Sequence, residues 1–119
     1  MVVINPISDI TTAALHAALN GLEIRQQVIA ANVANLETPG YLAREVSFED
    51  SLRAAVDAGR PQDSAVSVET SLAPTRLNGN NVNIDEQIMS GSENVLRQQL
   101  VIQGLNSKYN ILRTAITGR

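Results

Sequence analysis

The stretch AANVANLETPGY, residues 30–41, ends a long alanine-rich segment whose apolar residues recur with helical spacing. A residue that precedes proline disfavours helical backbone, so Thr38 predicts that the helix ends near Glu37. Pro39 and Gly40 suit the two central positions of a type II turn, because glycine tolerates the positive φ required at the second of them. The stretch therefore predicts a helix that stops abruptly and a chain that changes direction.

Two asparagines precede this stop, and one of them lies where an apolar residue is expected. Asn32 follows Ile29 by three residues and precedes Leu36 by four, near the centre of the apolar stripe, whereas Asn35 lies to one side. In one interpretation Asn35 eases the helix toward its end and Asn32 makes a single buried hydrogen bond. In the other, a buried amide sets the register and number of packed helices at some cost in stability. The residues alone favour neither interpretation.

The N-terminal helix is predicted to run from about Ser8 to the end of the quoted helical stretch. Alanine fills much of it, which favours helix, and Gly21 is its weak point, costing about 1 kcal/mol relative to alanine. One apolar row recurs every seven residues and is predicted to pack against another helix: Leu15, Leu22, Ile29 and Leu36.

A second long helix is predicted from about Asp85 to Thr117. Its complementary heptad row, which includes Leu105, is interrupted by Gly91 and Gln98. Further apolar residues fall outside both rows, so this helix is predicted to need more than one neighbour. The main row, with residues seven apart, is predicted to pack against other helices: Ile88, Val95, Ile102, Tyr109 and Ile116.

The middle of the chain carries weaker signals. A short helix is predicted over residues 48–58, with Ser47 as its N-cap. Residues 59–82 are rich in proline, glycine and asparagine, and only Val66 and Val68 show a weak alternation. We therefore expect a long loop there, with at most one strand-like piece.

These elements predict an all-α fold in three segments. Helices of about 30 residues are about 45 Å long, whereas a compact chain of this size has a radius of gyration of about 13–14 Å. The two long helices must therefore form an elongated, coiled-coil-like antiparallel pair, with surfaces left for copies or relatives of the chain. The segments are 1–46 (N-terminal helix and turn), 47–83 (short helix, then a long flexible loop) and 84–119 (C-terminal helix, packed on the first as one core domain).

Composition excludes several classes of function. The 119 residues contain no cysteine, which excludes disulfides and cysteine-based metal or redox sites. The net charge of -3 gives no basic footprint for nucleic acid. No run approaches the roughly 20 apolar residues of a membrane span, and the apolar cluster at residues 2–4 is too short for a signal peptide. His16 has no acidic residue within one helical turn, so we expect no enzyme activity, metal or cofactor.

The motif Asn32-x-x-Asn35-x-x-Thr38-Pro39-Gly40-Tyr41 resembles the N-terminal signature of flagellar axial proteins, which comprise rod, hook and hook-associated subunits. Two further stretches resemble the short proximal rod subunits of that family: LNGNNVNIDEQIM before the last helix and NSKYNILRTAITGR at the C-terminus. The resemblance covers about residues 8–58 and 76–117. Leu42 departs from it, since a lysine or arginine commonly follows the tyrosine.

The resemblance implies a structural subunit of the proximal rod of the flagellar basal body, which transmits torque and assembles by helix packing. The two asparagines would fix lateral register between helices. Implied partners are copies of the chain, other rod subunits, the basal-ring adaptor protein and the flagellar type III export apparatus, which would export the chain without a cleaved signal. The alternatives are a C-type rod subunit of the same family, a helical adaptor from outside the flagellum, and a small enzyme.

Phe48 and Leu52 carry a separate expectation. Their spacing resembles the element with which early rod and hook subunits dock on the export gate. The alternative is that the two side chains, one helical turn apart, only pack the short helix against the long ones.

Overall fold

The computed structural model describes residues 9–118, so Ser8 and the apolar cluster at residues 2–4 lie outside the described part. The elements follow in the order α1 (Ile10–Ala34), β1 (Arg44–Ser47), α2 (Glu49–Asp57), a 3-10 helix (Pro61–Asp63), β2 (Ser67–Thr70) and α3 (Ile84–Thr117). The molecule measures 64 × 29 × 14 Å and has a radius of gyration of 18.4 Å. The prediction of a mainly helical, elongated chain with two long terminal helices and a short middle helix is confirmed.

Polar contacts show that α1 and α3 run antiparallel. The Asn32 side chain donates to Gln87 Oε1 at 3.0 Å, and Asn94 donates to the Leu22 carbonyl oxygen at 2.9 Å. Near the other end of α1, His16 Nε2 lies 3.3 Å from the hydroxyl of Tyr109. Residue numbers that rise along α1 therefore fall along α3. Asp9, which precedes α1, pairs with Lys108, so α3 continues beyond the start of α1.

Each long helix begins at a side-chain cap. Asp9 accepts a hydrogen bond from the Thr12 backbone N–H at 2.7 Å, and Asn83 accepts one from the backbone N–H of Asp85 at 3.0 Å. Asp9 also forms a 2.6 Å ion pair with Lys108 of α3, whose hydrogen bond is the main cause that lowers the pKa of the Asp9 carboxyl to about 2. The start of α1 is thus fixed to the side of α3 by the residue that caps it.

The all-α prediction is incomplete, because the chain also forms a two-stranded antiparallel sheet. Strand β1 pairs with β2 so that Arg44 lies opposite Thr70 and Val46 opposite Val68. Strand β2 is the strand-like piece that the alternation at Val66 and Val68 indicated, whereas β1 was not predicted. Each strand has four residues, so neither carries enough alternation to be distinguished from loop, and the pairing joins distant parts of the chain.

The predicted N-cap of α2 is wrong by one residue. Phe48, not Ser47, occupies the cap position, and it makes no side-chain cap hydrogen bond. Instead its backbone N–H donates to Glu49 Oε2 at 3.3 Å. The Phe48 side chain packs in the interior, where it is 4% exposed and forms the core with Leu22 and Val46.

Gly21 is what allows Phe48 to lie against α1. A Cβ atom placed on Gly21 would lie 2.6 Å from Cγ of the Phe48 ring, so the ring rests directly on the helix backbone. The guanidinium of Arg25, one turn further along α1, lies 4.9 Å from the centroid of the same ring, within the range of a cation–π contact. The residue that weakens α1 as a helix is therefore the one that admits the aromatic residue of the core.

We expect Gly21→Ala to destabilise the fold, although alanine is the better helix former by about 1 kcal/mol. The added methyl group overlaps the Phe48 ring, and overpacking of this kind costs about 1–3 kcal/mol. Gly91→Ala is the matched control, because its Cβ would meet Ile29 Cγ2 at an ordinary 3.7 Å. Urea unfolding measures both free energies, and a Gly21→Ala protein at least as stable as Gly91→Ala would contradict the proposed contact.

Candidate assembly site

Asn32 connects three parts of the chain. Its side chain is 1% exposed. Its Nδ2 donates to the Arg44 carbonyl oxygen at 2.9 Å, and its Oδ1 accepts from the Arg44 backbone N–H at 3.0 Å. The amide thus pairs with the first residue of β1 as a neighbouring strand would. A second donation, to Gln87, reaches α3, and the Tyr41 hydroxyl donates to Oδ1 at 3.4 Å. The buried amide therefore fixes α1, β1 and α3 to one another.

Asn35 acts at the end of α1 and in the turn that follows. Its Nδ2 donates to the Ala31 carbonyl oxygen at 2.8 Å, and its Oδ1 accepts from the Thr38 hydroxyl at 3.1 Å. The Tyr41 backbone N–H donates to the Thr38 carbonyl oxygen at 3.2 Å, and Gly40 has φ of +75°. These two features are those of the type II turn that Pro39-Gly40 predicts.

A second group of polar residues, not predicted as a site, holds the connector against this turn. Asn80 is fully buried, and its Nδ2 donates to the carbonyl oxygens of Asn35 and Thr38, both at 2.9 Å. Arg76 donates to the carbonyl oxygens of Leu36 at 2.7 Å and Val82 at 2.6 Å. The backbone oxygens left free where α1 ends are thereby satisfied by side chains from the connector.

Asn81 extends the same arrangement to the sheet. Its Oδ1 accepts from the Ala43 backbone N–H at 2.6 Å, and its Nδ2 donates to the carbonyl oxygens of Ser71 at 3.1 Å and Ala73 at 3.2 Å. The segment that leads into α3 is therefore bonded on both sides. We call residues 71–83 the strap. We expected a flexible loop here, but the strap is held in place, because its asparagine side chains bond backbone groups as a partner strand would.

A charged cluster holds α2 between the two long helices. Arg25 of α1 forms a two-pronged contact with Glu49 at 2.5 and 2.9 Å and also donates to the Val46 carbonyl oxygen. Arg97 of α3 reaches the same carboxylate at 3.3 Å and pairs with Glu93. The hydrogen bond from Arg25 is the main cause that lowers the pKa of the Glu49 carboxyl to about 2. Glu49 therefore stays ionised at neutral pH and joins three helices.

The predicted packing rows divide between the interior and the surface. In α1, Leu22 and Ile29 are buried and Leu15 is half-buried, and Leu36 is half-buried just beyond the end of the helix. The predicted main row of α3 lies mostly at the surface, with Ile88 58% exposed and Ile116 83% exposed, although the Tyr109 hydroxyl contacts His16 of α1. We name these residues the α3 apolar row: Ile88, Val95, Ile102, Tyr109 and Ile116.

The row of α3 that faces α1 is the interrupted one. Gly91 lies against Ile29, Gly104 lies against Leu15, and Leu105 is buried. Asn94 is also buried, and it donates to Gln26 Oε1 at 2.9 Å as well as to α1 backbone. Small and polar side chains let the helices approach closely, so α3 turns its larger apolar residues outward. Heptad counting does not identify this face as the one that meets α1, because it ranks residues by hydrophobicity and not by how closely they allow two backbones to approach.

Two signals in the sequence could have indicated the missed residues. The first is the pair Gly91 and Gly104, which both contact α1, since a glycine inside a helical pattern often marks a packing contact. The four asparagines among residues 78–83 exceed what one turn needs, and asparagine side chains commonly bond backbone groups. Neither signal identifies the partner groups, because these lie about 40 residues away in the chain.

Metal-binding groups and membrane-spanning helices are absent from the described residues, and unpaired buried polar atoms are few. Within residues 9–118, no group of three or more histidine, aspartate or glutamate side chains could hold a metal ion. In the same part of the chain, no helix is long and apolar enough to cross a membrane. Two buried polar atoms of the described part lack a hydrogen-bond partner, Thr12 Oγ1 and Asn94 Oδ1, and Asn94 lies at the contact between the long helices.

Comparison with known proteins agrees with this arrangement. A family model described as flagella basal body rod protein matches residues 15–41, which include Asn32 and the turn. The flagellar basal body rod protein FlgB of Bacillus subtilis (strain 168) is 31% identical, over 87% of this chain and 91% of its own length. FlgB of Cereibacter sphaeroides (strain ATCC 17029 / ATH 2.4.9) is also 31% identical, over 87% and 92%. FlgB of Escherichia coli (strain K12) is 30% identical, over 76% and 81%.

These matches, which include the asparagine-anchored turn, show a structural protein of the flagellar basal body rod. Within that class, the chain belongs to the FlgB family of flagellar basal body rod proteins.

We expect Asn32→Ala to lower the free energy of unfolding by about 2–4 kcal/mol. The change leaves both backbone groups of Arg44 and the Gln87 side chain without their partner, and each unsatisfied buried group costs about 1–3 kcal/mol. Asn20→Ala is the control, because Asn20 is exposed on the same helix. Urea unfolding of both variants measures the difference, and equal losses would exclude a special role for Asn32.

Proposed function

We propose that the chain is a subunit of the proximal part of the rod and assembles by burying the α3 apolar row against neighbouring subunits. One observation carries the proposal: this row extends from Ile88 to Ile116, about 42 Å of helix, and each of its residues is at least 40% exposed in the described chain. An apolar surface of this length is costly in water and typical of an interface. In this proposal α1 and α3 form the core of the rod.

Transmission of torque requires a subunit that resists internal sliding, and several contacts support that role. Asn32, Asn94 and Glu49 each join α1 to another element through hydrogen bonds or ion pairs. Relative movement of the elements would leave buried polar groups unpaired, which is expensive. Force applied to one helix would thus pass to the other before the subunit deforms.

The proposed partners are copies of the chain, other rod subunits and the basal-ring adaptor protein. Support comes from the relatives, which are named as rod proteins, and from exposed apolar residues on more than one face of α3, since Met89 and Leu96 lie outside the α3 apolar row. A subunit with several apolar faces can contact several neighbours at once. We propose that the chain acts only through these contacts and catalyses no reaction.

We further propose that the flagellar type III apparatus exports the chain without a cleaved signal to the basal body. In this proposal Phe48 and Leu52 dock on the export gate. The burial of Phe48 beneath Gly21 and Arg25 means that docking would need the unfolded chain. The same two side chains could then dock on the gate while the chain is unfolded and pack in the core after the chain folds.

We expect Ile102→Asp to abolish rod assembly while the isolated subunit still folds. Ile102 is exposed in the single chain, so the charge is harmful only when a neighbour covers it, and an unpaired buried charge is costly. Gln103→Asp, at the next position and also exposed, is the control. Swimming of a deletion strain that carries each variant is the measurement, with circular dichroism as the test of folding. A motile Ile102→Asp strain would remove the proposed interface.

The docking role of Phe48 can be separated from its packing role. We expect Phe48→Ala to remain in the cytoplasm if the ring docks on the gate. Gly21→Ala disturbs the same packing contact but keeps the ring, so this variant should still be exported. Fractionation of cells blocked in rod assembly compares the two proteins. Wild-type secretion of Phe48→Ala would exclude docking and leave only packing.

A further inference from the structure

An apolar groove opens between α1, α2 and α3, beside the core. Its volume is about 430 Å³, and a cavity of about 150 Å³ already holds a benzene molecule. Space therefore exists for more than one aliphatic side chain. The apolar lining residues are Ala18, Leu22, Phe48, Leu52, Val56 and Leu100, with Val101 beside them.

The strap presents two leucines that suit such a groove. Leu72 is 94% exposed and Leu77 is 110% exposed, although connectors normally place polar residues outward. Leu72 lies between two residues whose carbonyl oxygens accept hydrogen bonds from Asn81. Leu77 follows Arg76, whose guanidinium is bonded at two carbonyl oxygens. Apolar side chains held on a rigid backbone bind at low entropic cost, because the loop is already ordered.

The leucines cannot enter the groove of their own chain. Arg76 fixes the strap at Leu36, whereas the groove lies beside Leu22. From Leu22 to Ala34, where α1 ends, the helix alone spans about 18 Å. An occupant from this chain must therefore come from a second copy.

Charges do not oppose this contact. The charged residues at the groove are Glu49, Asp57, Arg53 and Arg97, two of each sign. The segment 71–80 carries one charge, Arg76, which is already bonded to backbone. Three of these four side chains already have ion-pair partners: Glu49 pairs with Arg97, and Arg53 pairs with Asp50.

We infer that Leu72 and Leu77 of one subunit insert into the α1–α2–α3 groove of the next copy. The inference rests on the proposed function and specifies one contact between copies. The two surfaces differ, so the contact is head-to-tail, and repetition yields an open filament instead of a closed dimer. Two leucines bury far less than the roughly 1,200 Å² of a stable interface. The contact therefore adds to burial of the α3 apolar row and must be tested in assembled rods.

Cysteine pairs test the contact directly, because the natural chain has no cysteine. A deletion strain expresses Leu77→Cys and Val56→Cys together, and mild oxidation precedes electrophoresis without reductant. We expect a disulfide-linked dimer in the mixed cells and none in cells with either variant alone. Glu69→Cys mixed with Val56→Cys is the control pair and should give no dimer. A dimer with Leu77→Cys alone, or no dimer in swimming mixed cells, overturns the inference.

A second measurement does not depend on cysteine. Leu77→Asp should abolish swimming and Leu77→Met should preserve it, while both proteins fold normally because the side chain is fully exposed. Swimming of the Leu77→Asp strain overturns the inference. If Ile102→Asp still prevents swimming in parallel, only the groove contact fails and the proposed function stands. If Ile102→Asp also swims, the proposed function itself fails.

Discussion

The hydrogen bonds of the Asn32 side chain with both backbone groups of Arg44 are the interaction on which the rest of the structure depends. They return the chain to α1 directly after the turn and so set where β1 begins. The strand then fixes the position of Phe48 and α2, and the added bond to Gln87 sets the level of α3. An apolar residue at position 32 could pack against β1 and α3 in more than one register. An amide allows one register only, because its donors and acceptor need partners at fixed points.

Gly21 adds a steric constraint to this polar one. The Phe48 ring occupies the space where another residue would carry a side chain, and Arg25 covers the ring while it binds Glu49. Packing, a cation–π contact and an ion pair therefore act on α2 at the same place. The short helix has few residues to bury, so its position depends on these contacts more than on its own helix propensity.

The small interior of the subunit and its large exposed apolar surface have the same cause, which is the choice of residues on the two faces of α3. Several positions of the α1–α3 contact are glycine or asparagine, among them Gly91, Gly104 and Asn94, and the larger aliphatic residues of α3 point outward. The subunit is also thin, 14 Å in its shortest dimension. A thin subunit has little core of its own, and burial of the α3 apolar row by neighbours would complete its stabilisation.

The sequence by itself determined the two long helices, a stop of the first one before Pro39 and the positive φ of Gly40, because these follow from local spacing and backbone sterics. It did not give the position of that stop, since α1 ends at Ala34 and the prediction was near Glu37. It also singled out Asn32, as a polar residue inside an apolar stripe. Only the tertiary structure decided which bonds Asn32 makes, which face of α3 meets α1, and that Asn80 and Asn81 hold the connector. Those outcomes depend on groups that are distant in the chain and become neighbours only after folding. Periodicity reports which residues are apolar, whereas the fit between two backbones selects the face that is buried.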